Sequence, residues 1–125
     1  MTCFYIRSEN FPSDAKNCHI ELHSKVSFDT NRHYLGLSKF KSDGSIEYLA
    51  ACTELHEGEL AHTGLEKIEL VSVNYLCSDL ENYMEQIDKI GVIFSELVKD
   101  NRFNPNEWAI EWYKQDVCIC MIPLK

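Results

Sequence analysis

The run Trp108-Ala109-Ile110-Glu111-Trp112-Tyr113 sets a single carboxylate inside a stretch that is otherwise apolar and aromatic. Read as a strand, its side chains alternate between two faces. Ala109, Glu111 and Tyr113 share one face, and Trp108, Ile110 and Trp112 the other. The tryptophan-bearing set suits packing beneath helices, which would leave a carboxylate and a phenol side by side on the opposite face. On a solvated face Glu111 is an ordinary surface charge. In a pocket it loses hydration and needs a positive partner. Aromatic walls would add about 0.5–2 kcal/mol of cation–π attraction per ring.

Other residue types that could do chemistry are less well placed. His19 and His23 lie four apart in a candidate helix, but the pattern is not His-Glu-x-x-His and no further ligands accompany it. A partly exposed helix face is the expectation there, and no metal or cofactor is expected. Cys118 and Cys120 alternate onto one face of a candidate strand and read as small apolar core residues. The six cysteines include no Cys-x-x-Cys pair, so reduced thiols are expected. His56 and His62 flank an acidic loop, Gly58 and Gly64 read as turn residues, and no serine or cysteine nucleophile has a recognisable partner.

The bulk numbers bound the rest. One domain fits in 125 residues, and a formal charge of −8, from 20 acidic against 12 basic side chains, argues against binding to nucleic acid. The same field favours cationic partners weakly. No apolar run approaches the roughly 18 residues of a membrane helix. Met1-Thr2-Cys3-Phe4-Tyr5-Ile6-Arg7 lacks the basic start and apolar stretch of a signal peptide, so a cytoplasmic protein is expected.

Several elements must position Glu111. Leu80, Tyr83, Met84, Ile87, Ile90, Gly91, Phe94, Leu97 and Val98 recur at helical steps and predict a helix from about Asp79 to Lys99. Ser78 and Glu81 form its candidate capping box. Two hairpins are predicted: His33–Phe40 to Ser45–Cys52 through Asp43-Gly44, and Trp108–Tyr113 to Val117–Ile122 across Lys114-Gln115-Asp116. Leu65 to Leu76 alternates as one further strand. Phe4-Tyr5-Ile6 reads as a short strand and Ser13 to Val26 as a helix. The resulting order is β-α-β-β twice. This predicts an α+β fold of duplicated halves sharing a mainly antiparallel, curved sheet, with both helices on one face and a ligand cleft on the other.

The closing segment Glu111-Trp112-Tyr113 … Val117-Cys118-Ile119-Cys120-Met121-Ile122-Pro123-Leu124 resembles the last hairpin of the GyrI-like small-molecule-binding domains. These are also the effector-binding domains of AraC-type and related multidrug-sensing regulators. Their pattern is Glu-x-Tyr, a turn, then a strand ending apolar-Pro-apolar. Ile46-Glu47-Tyr48-Leu49-Ala50-Ala51 resembles the family's third strand, and Gly64–Ile68 to Val73-Asn74-Tyr75 the segment that follows. The likeness covers about residues 33–125. It implies a cleft between the halves, with the family's central carboxylate at Glu111, the motif's tyrosine at Tyr113, and recurrent aromatic positions at Tyr48 and Tyr75. Trp112, inside the same motif, completes the expected ligand-binding set.

The first 32 or so residues are shorter than the family's opening, and His23 stands where many members carry tryptophan. One wall of the cleft is then either open or supplied by a second subunit, as in a homodimer. No helix-turn-helix segment lies within the 125 residues, and the expectation is a stand-alone module. Stand-alone relatives on mobile integron cassettes bind cationic drugs. The resemblance therefore implies a binder of lipophilic, cationic aromatic molecules. Two alternatives share the residues: a hydrolase of strained electrophiles with Glu111 as general base, and an acidic protein-inhibitor module.

Overall fold

The computed structural model describes all residues from Met1 to Lys125. The elements run β1 (Thr2–Arg7), α1 (Ala15–Lys25), β2 (Tyr34–Phe40), β3 (Ile46–Thr53), β4 (Glu66–Glu69), β5 (Tyr75–Glu81), α2 (Asp88–Leu97), β6 (Ala109–Lys114) and β7 (Val117–Pro123). All seven strands form one sheet in the order β4-β1-β3-β2-β6-β7-β5, and every pairing is antiparallel. The duplication expected from the element order is visible in this arrangement. β1-α1-β2-β3 and β5-α2-β6-β7 are arranged alike, and the halves meet where β2 pairs with β6. β4 is an addition on the β1 edge.

Chain connectivity forces the sheet to curve. Seven flat strands would hold β4 and β5 about 29 Å apart, at about 4.8 Å per gap. The link from Leu70 to Asn74 that joins them can span only about 22 Å fully stretched. The sheet therefore curls and buries one face against itself. Cys3, Tyr5, Leu35, Leu37, Leu49, Ala51 and Ile110 fill that concave face, with Leu70 from the link and Tyr75, Trp108, Trp112 and Met121 around them.

Both helices lie on the other, convex face. α1 sets Cys18 and Leu22 onto Phe4, Ala50 and Cys52. α2 sets Ile90 onto Leu80, Cys118 and Cys120. Leu22 is fully buried, and truncating it to alanine would cost about 2–5 kcal/mol. The fold is thus the expected α+β, with the helices on one face.

Three local expectations need correction. The tryptophan set of β6 was expected beneath the helices, yet Ile110 and Trp112 belong to the concave core. The helical layer covers the face of Tyr113, Cys118 and Cys120 instead, so the hollow beside Glu111 opens on the helical side of the sheet.

The long helix is also shorter than its pattern. Tyr75–Glu81 is a strand paired residue by residue with β7, so Ser78 and Glu81 cap nothing. Leu80 satisfies both periods and hid the switch. The change of element falls at Asn82, which is left-handed at φ 52°. Finally, Leu65 to Leu76 is two strand segments separated by the closing link, not one strand.

Candidate functional site

Glu111 sits at the seam of the two halves. Its neighbour across β2 is Gly36 and its neighbour across β7 is Cys120. Neither small residue covers the carboxylate. Gly36 also makes room from the other side: a Cβ there would collide with the Tyr48 hydroxyl and lie 3.2 Å from that of Tyr113. Tyr48 can therefore reach from β3 across β2 toward β6.

The three side chains join a fourth from α1. Tyr113 donates its hydroxyl hydrogen to Glu111 Oε1. The Tyr48 hydroxyl lies 3.5 Å from that of Tyr113 and 2.7 Å from His19 Nε2. With the imidazole hydrogen on Nε2, each group donates to the next, from His19 through Tyr48 and Tyr113 to the carboxylate. That tautomer gives a continuous chain aimed at the negative charge.

Burial sets the charges in this chain. Glu111 is 9% exposed; burial raises its pKa, and the Tyr113 hydrogen bond offsets part of the rise. The Tyr48 and Tyr113 hydroxyls are pushed up by burial and then by the Glu111 charge. His19 is pulled down to about 4 by burial, with a smaller contribution from His23. At neutral pH both phenols and the imidazole are uncharged, which leaves the carboxylate as the one group of the four able to carry charge. None of the molecule's ion pairs involves it.

Around the carboxylate lies a groove of about 1550 Å³, walled by α1 and the segment before it on one side and by α2 on the other. Phe11 stacks on Tyr48 at 4.6 Å between centroids. His19 stands edge-on to Tyr113 at 5.4 Å, and Tyr83 tilts against Tyr113 at 5.3 Å. Met84 and Ile87, both well exposed, form the rim in the segment that leads into α2.

No protein-family model matches this chain, and no curated protein matches it. Among solved structures it is similar to an integron cassette protein from the mobile metagenome of Vibrio cholerae. The TM-score is 0.71 at 17% identity, over 99% of this chain and 88% of that one. The likeness shows the fold. At that identity it carries no residue roles.

Of the residues singled out in the sequence, Glu111, Tyr113 and Tyr48 meet in the groove. Tyr75 does not join them, because it packs on the concave side against the Leu37 cluster. Trp112 also packs on that side and reaches the groove only at its rim, beside His33 and Lys114. A two-residue period separates both from Glu111's face of the sheet.

Sequence reasoning missed His19, Phe11 and Tyr83. His19 lies on a partly exposed face, as expected, and its four-residue step to His23 places both along the groove. There is no cluster of three or more His, Cys, Asp or Glu side chains able to hold a metal. Cys118 and Cys120 are buried in the core, as expected, and no helix is long and apolar enough to cross a membrane.

Proposed function

We propose that this domain binds a small, flat, lipophilic organic cation in the groove between its two helices. Glu111 serves as counter-ion, and Tyr48, Tyr113 and the rings beside them serve as walls. The observation that carries the reading is a carboxylate nine-tenths buried with no cationic partner in the protein. An unpaired buried charge is costly, and a ligand that supplies the missing positive charge recovers that cost on binding. Ring faces around the cation add about 0.5–2 kcal/mol each. The mostly aromatic and aliphatic lining suits the apolar body of such a molecule. The GyrI-like resemblance points to the same ligand class and the same carboxylate.

Replacing Glu111 with glutamine tests the reading. The variant should keep the circular-dichroism spectrum of the wild type and lose binding of an aromatic cationic dye. Unchanged dye affinity in a folded variant would refute it.

A second reading uses the same carboxylate as a general base toward strained electrophiles. It is favoured by the upward-shifted Glu111 next to a phenol donor. Turnover of such an electrophile by the wild type, absent in Glu111→Gln, would establish catalysis. Stoichiometric binding without product would exclude it.

A further inference from the structure

We propose, resting on the cation-binding reading above, that the groove selects protonated amines over quaternary ammonium ions of the same shape and charge, because Glu111 Oε2 requires an N–H donor from the ligand. The two carboxylate oxygens are not equivalent. Oε1 receives the single hydroxyl hydrogen of Tyr113. Oε2 receives none: the Tyr48 hydroxyl is engaged between His19 and Tyr113, and the cross-strand neighbours Gly36 and Cys120 bring no nitrogen or hydroxyl donor on a side chain. Arg32 Nε is the one side-chain nitrogen or oxygen that is both sealed from solvent and without a partner. Oε2, which also lacks a donor, is therefore not sealed, and its open side faces the groove that Glu111 lines.

A ligand that fills the groove displaces water from Oε2. A protonated amine replaces that water with a charge-assisted N–H···O bond, the strongest kind available to a carboxylate. A quaternary nitrogen brings the same charge inside a shell of methyl groups. It stands farther off and leaves Oε2 desolvated without a donor, which is the costly outcome for a buried acceptor. The expected discrimination is about ten-fold or more in Kd. It opposes the usual gain from an added methyl group, so lipophilicity cannot mimic it.

The experiment is isothermal titration calorimetry of the intact chain at pH 7 with three salts of one flat tricyclic amine: secondary, tertiary, and N-methylated quaternary. The inference expects similar affinity for the first two and a drop of about ten-fold or more at the quaternary salt, where the last N–H is lost. An even decline with each methyl would mean that bulk sets the preference and would overturn the inference. Equal or tighter binding of the quaternary salt would overturn it too, while leaving the cation reading intact. Failure of all three to bind would remove both.

Discussion

Tyr113 donates its hydroxyl to Glu111 from two residues along the same strand, so the donor and the carboxylate are fixed by one backbone segment. Their spacing cannot drift with the helices, because β6 is paired on both sides, with β2 and β7. The pair is a preformed carboxyl–phenol floor on which α1 and the segment before it add His19 and Phe11.

Glu111 should destabilise the empty protein. Burial holds its carboxyl above the ordinary range, so the unfolded chain gives up this proton at lower pH than the folded one. Stability falls as pH rises from the ordinary carboxyl value through the raised one, and the full penalty is present beyond it. Glu111→Gln should therefore melt higher than wild type at pH 7, by about 3–5 °C for each 1 kcal/mol removed. The gap should close as pH falls below the ordinary carboxyl value of 4.5, where the carboxyl becomes protonated in both states. Thermal melts across that range check both statements.

Tyr113→Phe should move the pH dependence of cation binding upward. The lost hydrogen bond is the one influence that lowers the Glu111 pKa against burial. Without it the carboxylate forms only at higher pH, and the midpoint of binding against pH should rise relative to wild type. Dye titrations between pH 5 and 9 would show it. A midpoint that stays in place would mean the hydroxyl does not reach the carboxylate.

Gly36→Ala should damage both fold and site. The new Cβ meets the hydroxyl of Tyr48, a residue only 2% exposed. Overpacking of this kind costs about 1–3 kcal/mol. Denaturant unfolding should show that loss, and dye affinity should fall as Tyr48 is driven from the groove wall. Alanine at exposed Gly91 in α2, where no atom lies within contact range, should cost no stability.

His19 should make the protein sensitive to acid. Its pKa is depressed to about 4 from an ordinary 6.5. The stability tied to its neutral form is present above the ordinary value and is lost as pH falls to the depressed one. Glu111 has the opposite slope over part of that window, so the measurement belongs in the Glu111→Gln background. There, His19→Gln should flatten the decline in urea midpoint between pH 6.5 and 4.

The fold was legible because its signals are local. Asp43-Gly44 and the Lys114-Gln115-Asp116 turn fixed the two hairpins within a residue or two, and the order of elements gave the duplication. Glu111 was legible as a lone charge in an apolar strand. The side of the sheet on which it would lie was not. That depends on the curl imposed by the Leu70–Asn74 link, a long-range constraint that periodicity cannot carry. Tyr75 and Trp112 were placed with Glu111 on motif likeness, although an even–odd count along the strands separates them from it. His19 needed the packing of α1 on β3, which no spacing within the helix encodes.

The most direct test of the account is to compare one flat aromatic cation with its neutral isostere by calorimetry on the wild-type protein at pH 7. An ion pair formed away from water should favour the cation by about 1.5–3 kcal/mol, or ten-fold and upward in Kd. Equal affinity for the two would contradict it, because Glu111 would then recruit no charge at all.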